Sequence, residues 1–414
     1  MKPWMTCAAI ALAAIACPPP GPPPPPPPPP DGGLDAGICG FLAAAQPDTT
    51  YEIPGTHETP YDLGAGGTGG HTCILAPTVA NVTVRAAPGA NPLLQGFLVL
   101  YGANGWVFDN VDFTQFLPDA GRTGGLLKFV GGNGWKVTRS ELFFPSCQDC
   151  GDFAALSFGF TPEYPTPANW EISDNWLHDN PGCVGQPFCT IGVNQTGVQN
   201  HLIYGIGNPS VPMHGAIRNN LFVSSPKGFA IKLGGSGTYD GSQGVNTVLI
   251  ENNTVVQNGS EPLPPAGQVT GLPVLVDDDS SNLTFRRNIF YEDTVSNEFT
   301  ILVLGTGYNL LGKGFSTAIA FDDNVMNAPT AAVVLYFQGC AAERLPRSAG
   351  TTLGFNKHPL GCGPQTAILT ISNTVDGTGL LNWPAPAPNA CAIYGPLTVD
   401  GGTYGAPASA CTAP

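Results

Sequence analysis

From about residue 98 to residue 327 the chain repeats a short pattern: an apolar residue, two polar residues, usually Asn, and then an apolar strand. Copies stand at Ile172 to His178 (ISDNWLH), Ile217 to Val223 (IRNNLFV), Ile250 to Val256 (IENNTVV), Phe285 to Tyr291 (FRRNIFY) and Phe321 to Asn327 (FDDNVMN). Looser copies begin at Phe108, Val137 and Val198. Most starts lie 26 to 36 residues apart, the length of a three-strand coil, but Val198 to Ile217 is only 19, so one of those two need not begin a full coil. A second family of strands interleaves with the first, at Phe97 to Tyr101, Leu126 to Val130, Ala154 to Phe158, Phe229 to Leu233, Val274 to Val276 and Ile301 to Leu304. Most are followed by Gly or Asp turns. Segments this short cannot bury their apolar faces alone, so successive coils must stack around one continuous core. Helical spacing is absent, and 54 glycines argue against helices, where each costs about 1 kcal/mol relative to Ala.

Stacking also gives the polar positions a role. Asn175, Asn220, Asn253, Asn288 and Asn324 share one coil position, where amides spaced about 4.8 Å apart bond to the coils on either side. Arg218, Glu251, Arg286 and Asp322 share another, alternating in sign up the stack, which assigns them a structural task before a catalytic one. His201 is expected at the Asn position, packed there.

These segments, above all IRNNLFVSSPKGFAIKLGG at 217–235 and TVLIENNTVVQNG at 247–259, resemble the right-handed parallel β-helix superfamily of pectate-lyase-like enzymes and bacterial β-helix-repeat surface proteins. The resemblance covers about 98–327 and implies an all-β fold, a single-stranded right-handed parallel β-helix (solenoid) of about eight coils. It implies no reaction, because the superfamily holds enzymes and non-enzymes.

The flanks suggest export. Lys2, the apolar run Ala8 to Ala16 and small residues before Cys17 read as a signal peptide at 1–16. Ala14-Ile15-Ala16-Cys17 resembles a bacterial lipobox whose cysteine is lipidated, and the same residues also fit an ordinary A-x-A cleavage site. The prolines Pro18 to Pro20 and Pro22 to Pro30 predict a polyproline II stalk of roughly 40 Å. The predicted order is thus a lipid-anchor cysteine and stalk at 17–36, an N-terminal cap and first coils at 37–97, the β-helix at 98–339, and disulfide-stapled C-terminal coils and tail at 340–414. A membrane is reached only through the lipid. A formal charge of -15 with no basic stripe excludes nucleic acid as a partner.

Ten cysteines follow Cys17, an even number that in an exported chain favours disulfides. Cys39 and Cys73 are placed to tie the cap, Cys340 with Cys362 and Cys391 with Cys411 to staple the C-terminal end. Cys147 and Cys150 precede Cys183 and Cys189 by about one coil, which suits cross-coil disulfides first, local pairs second and a four-cysteine zinc site third.

For chemistry the sequence offers little. Asp277, Asp278 and Asp279 fill a turn that either binds Ca²⁺ or is a solvated acidic loop. Lys128 and Lys232 occupy matching places in LLKFVGG and AIKLGG, and alternation points both outward; Lys232, one coil from the aspartates, is the candidate base of a lyase. His178 and His214 are weaker candidates for proton transfer, and no metal-type histidine spacing or nucleophile elbow is present. Two readings remain: an exported, non-catalytic module binding a polysaccharide or a neighbouring surface, and a polysaccharide lyase or related enzyme acting on an acidic polysaccharide.

Overall fold

The computed structural model describes residues 37–64, 71–115, 124–144, 153–178, 201–223, 229–235, 243–257, 272–276, 279–292, 302–304, 316–326, 333–335, 343–345, 351–353, 369–372, 375–376, 396–399 and 402–407. From Thr50 to Met326 its strands visit three sheets in strict rotation, and two short antiparallel pairs, Val333–Leu335 with Glu343–Leu345 and Leu397–Val399 with Gly402–Tyr404, lie outside them. The first sheet runs through Thr50–Ile53, Thr83–Ala86, Val107–Asp109, Lys136–Thr138, Glu171–Ser173, Gly215–Arg218, Asn246–Glu251, Ser281–Arg286, Thr317–Asp322 and Leu369–Ser372, all parallel, and ends on the antiparallel Thr351–Leu353. The second runs from Tyr61–Asp62 through Leu93–Gln95, Asp112–Thr114, Glu141–Phe143, Trp176–His178, Leu221–Val223, Thr254–Gln257, Ile289–Glu292 and Val325–Met326 to Val375–Asp376. The third runs from Thr72–Leu75 through Phe97–Tyr101, Gly124–Val130, Phe153–Gly159, His201–Gly205, Phe229–Leu233 and Leu272–Val276 to Leu302–Leu304. Three parallel sheets visited in rotation are a parallel β-helix, right-handed as β-crossover-β connections are.

The repeated motif is the corner between the first two sheets. Its leading apolar residues, Phe108, Val137, Ile172, Ile217, Ile250, Phe285 and Phe321, stand in register and fully buried. Two positions on, Asn110, Arg139, Asp174, Asn219, Asn252, Arg287 and Asp323 all have φ between 53° and 59°. Asn and Asp tolerate this left-handed conformation best, which explains the polar residue before the Asn. The Asn itself then turns inward. In each of the pairs 175/220, 220/253, 253/288 and 288/324, the backbone N–H and the Nδ2 of the first residue donate to the Oδ1 of the second at 2.9–3.0 Å. Each Nδ2 from Asn175 to Asn324 also donates to a backbone carbonyl of the preceding coil, so five fully buried amides are satisfied.

Register closes one open reading, corrects one expectation and bears out a third in part. Ile172 pairs directly with Ile217, so this coil is 45 residues long and no rung of the first sheet begins at Val198, which lies outside the described residues. His201 is not in the Asn column; it opens a strand of the third sheet. In the charged column Arg286 Nε meets Glu251 Oε1 at 2.6 Å, but Arg218 turns to Glu171 of the preceding rung, its Nε donating at 2.9 Å.

A second left-handed column marks the corner from the third sheet to the first: Asp48, Asn81, Gly105, Gly134, Asn169, His214, Thr247, Asn282 and Ala318, with φ from 48° to 71°. Beside it, inside the solenoid, Trp106, Trp135 and Trp170 occupy successive rungs, all buried, and Trp135 and Trp170 stack with centroids 5.4 Å apart. The next residue in that column is Gly215, where any Cβ would lie 2.1 Å from the Trp170 ring. The N-terminal end is closed by the helix Ile38–Ala43, which buries Ile38, Phe41 and Leu42 and is joined by the disulfide Cys39–Cys73 to the first strand of the third sheet. The pairing expected from the sequence is thus present, and such a bond belongs to an oxidising compartment.

Candidate functional site

The candidates drawn from the sequence do not converge. On the outward column of the third sheet Lys128, Ser157, Tyr204 and Lys232 stand in register, which places the two lysines three rungs apart. Lys232 is not the solvated side chain that alternation alone suggested: it is 6% exposed, with Nζ 4.9 Å from the centre of the Tyr204 ring. Lys128 is half-buried, and burial lowers its pKa. Asp279 holds a left-handed turn conformation (φ 48°) just before buried Ser280, whose Oγ accepts the Val245 N–H at 3.0 Å. His214 is exposed and fills one step of the left-handed column, a conformation for which His is one of the tolerated residues. Asp277, Asp278, Cys17, Cys147, Cys150, Cys183, Cys189, Cys340, Cys362, Cys391 and Cys411 lie outside the described residues.

Two other places gather polar and aromatic side chains among the described residues. The first is a groove of about 490 Å³ along the corner between the third and first sheets, across four coils. Tyr101 and Tyr164 stand at its wall with ring centres 5.1 Å apart. Tyr164 reaches this position because Gly102 and Gly131, both at φ 69°, leave its side chain room; a Cβ at either would come within 3.0–3.2 Å of it. Asn104 and Asn133 line the floor: Asn104 Oδ1 accepts the Asn133 N–H at 2.9 Å and Asn133 Oδ1 accepts from Asn169 Nδ2 at 2.8 Å. Among the described residues, no charged side chain lines the groove.

The second lies on the outward face of the second sheet, in the early coils. The position after the Asn column, apolar in most later coils, is Asp112 in one rung and Glu141 in the next. Asp112 is 1% exposed. Its Oδ1 accepts the Glu141 N–H at 2.6 Å, and its Oδ2 lies 2.7 Å from His57 Nε2. His178 Nε2 in turn lies 2.7 Å from Glu141 Oε1. A row of flat rings holds both imidazoles, with centroids 6.0 Å apart from His57 to Phe143, 5.5 Å from Phe143 to His178 and 3.9 Å from His178 to Trp176. Burial pushes the Asp112 carboxyl up, and the hydrogen bond from His57 opposes this; the same bond raises the pKa of His57 against its own partial burial. One ligand atom each from His57, Asp112 and Glu141 lies within 4.8 Å of the others, an arrangement suited to proton transfer or to a cation.

Of these residues the sequence reading touched only His178. A signal was present for two more, since aspartate and glutamate stand in a column otherwise filled by Trp176, Leu221, Thr254, Ile289 and Val325. His57 arrives from a loop 55 residues before Asp112 and left no periodic trace.

The three parallel sheets make the chain a right-handed parallel β-helix protein. No protein-family model matches it, and no curated protein matches it in sequence. Among solved structures, a PL6 alginate lyase in complex with a trisaccharide is 13% identical with a TM-score of 0.40, covering 71% of this chain and 56% of that one, little more than half of its length. Pectate lyase Pel9A is 12% identical (TM-score 0.39; 84% of this chain, 76% of that one). PfbA, a surface adhesin of Streptococcus pneumoniae, is 10% identical (TM-score 0.30; 79% and 91%).

Proposed function

We propose that this chain is an exported, non-catalytic β-helix module that binds a neutral polysaccharide lengthwise in the groove beside Tyr101 and Tyr164. The observation that carries this reading is the groove's composition among the described residues: two tyrosines, two amides and no charge, on a chain whose formal charge is -15. Tyrosine rings offer apolar faces to the C–H face of a sugar, and amides serve its hydroxyls in either direction. A uronate polymer would instead be repelled by the chain's net charge unless cations intervened. The burial of Lys232 against Tyr204 also favours binding over elimination, which needs a base that substrate can reach. Lipidation at Cys17 and the proline stalk then serve to hold the groove clear of a cell surface.

The test is a titration of the purified protein with neutral and uronate oligosaccharides, following intrinsic fluorescence and the absorbance of unsaturated products. Neutral oligosaccharides should bind, and Tyr101→Ala should weaken binding about tenfold or more, equivalent to roughly 1.4 kcal/mol. Unsaturated product from a uronate polymer, or equal affinity in Tyr101→Ala, would overturn the proposal.

A further inference from the structure

We infer that His57, Asp112 and Glu141 form a binding site for a first-row transition-metal ion, Zn²⁺ above all, with His178 as a positioning residue. Two carboxylates on adjacent rungs face the same way, one of them 1% exposed, and such a pair is costly unless a positive charge lies between its members. The ligand atoms are already gathered, within 4.8 Å of one another. A fourth group points to the same place. Asn91 Nδ2 stands 3.1 Å from His57 Nε2, the nitrogen that also faces Asp112 Oδ2 at 2.7 Å. One ring nitrogen cannot accept from an amide and donate to a carboxylate at once.

The oxygen and nitrogen of a carboxamide exchange places by a simple rotation. Asn91 Oδ1 is buried with no hydrogen-bond partner, and the rotation turns this oxygen towards Nε2 in place of the competing donor. An imidazole nitrogen, two carboxylates and an amide oxygen then converge. Either a cation or a proton on Nε2 can occupy their centre, and the second carboxylate, Glu141, is what favours the doubly charged occupant. His178 Nε2, 2.7 Å from Glu141 Oε1, fixes how that carboxylate presents its oxygens, as the outer partners of metal ligands do. The donor set also chooses the metal. Ca²⁺ takes six to eight oxygens, whereas imidazole with carboxylates in small number suits Zn²⁺ and its neighbours. The site is separate from the groove and does not depend on its ligand.

The experiment uses the full chain without a histidine tag, stripped with EDTA, dialysed and titrated with Zn²⁺ alone, then separately with Co²⁺. Wild type should retain one equivalent of Zn²⁺ through dialysis, melt at a higher temperature when loaded, and give visible ligand-field absorption with Co²⁺. His57→Gln, at a half-exposed position and expected to keep the solenoid's circular dichroism, should lose the retained equivalent and the Co²⁺ absorption. His178→Gln should weaken binding by about tenfold while keeping the stoichiometry. Failure of wild type to retain zinc would leave the proton as the occupant and overturn the inference. So would retention of the same equivalent by His57→Gln, since the ion would then sit elsewhere, or a stabilisation by Ca²⁺ that Zn²⁺ does not give.

Discussion

The outward face of the second sheet differs between the two ends of the solenoid, although the backbone is the same at both. In the later coils its two columns hold Leu221, Thr254, Ile289 and Val325, and Val223, Val256 and Tyr291, all buried yet outside the central core. What buries part of this face is the C-terminal segment. Gly405 N–H donates to the Arg287 carbonyl at 2.9 Å, Ala406 N–H to Thr254 Oγ1 at 2.9 Å and Tyr404 OH to Asp323 Oδ1 at 2.8 Å. In the early coils the same columns hold Asp112 and Glu141, Thr114, Phe143 and His178, and the neighbour is the loop that carries His57. The Asn column changes with them: Asn175 is preceded by Ser140 and Val111, where Ser140 N–H donates to Asn175 Oδ1 at 2.9 Å and Val111 N–H reaches Ser140 Oγ at 3.3 Å. The solenoid dictates which way a side chain points, and the chain laid over it decides whether that side chain is apolar or charged.

The sharpest way to break this contrast is to lift the C-terminal cover. Gly405 has φ 80°, and a Cβ there would stand 2.5 Å from Ile289 Cδ1 and 2.6 Å from Thr254 Oγ1. Gly405→Val should therefore cost about 2–4 kcal/mol, combining backbone strain with overpacking. Denaturant unfolding measures the loss, and limited proteolysis should cut the C-terminal segment first. Unchanged stability would mean that the segment does not hold the later coils.

Next in size is the Asn column. Asn253→Ala removes an acceptor used by two donors of Asn220 and a donor to Asn288 and to the Ile217 carbonyl, and should cost about 1–3 kcal/mol. Ser140→Ala at the other end should cost at most about 1 kcal/mol, because Ser140 supplies fewer bonds. Asn258, the natural neighbouring control, lies outside the described residues. Equal losses at 253 and 140 would refute the idea that the ladder strengthens towards the later coils.

The smallest effect probes the middle, where the 45-residue coil joins the two ends. His201 is buried, its Nδ1 accepting the Phe229 N–H at 3.0 Å, and burial pushes its pKa well below the usual value, with the charge of Lys232 adding to this. The fold keeps the imidazole neutral while the unfolded chain protonates it below about pH 6.5, so unfolding takes up a proton there and stability falls as the pH falls. From pH 6.5 to 5.5 this group should cost about 1 kcal/mol, and His201→Gln should show a correspondingly flatter decline. A variant with the slope of wild type would show that His201 titrates in the fold as freely as in the unfolded chain.

The coil, its corner and its Asn column were legible in the sequence because they recur: a periodic constraint writes the same residue type at Asn175, Asn220, Asn253, Asn288 and Asn324. The strand His201–Gly205 was misplaced because the 45-residue coil breaks that period. The pairing of Cys39 with Cys73 followed from cysteine number and position. Alternation gave the outward direction of Lys232 correctly but not its burial, since an outward side chain is exposed only if nothing covers it. The gathering of His57 with Asp112 and Glu141, and of Tyr101 with Tyr164, was decided by tertiary structure alone. Asp112 and Glu141 share one column of the repeat, but His57 with Asp112, 55 positions apart, and Tyr101 with Tyr164, 63 apart, share none, and only the closing of the coils brings them within reach.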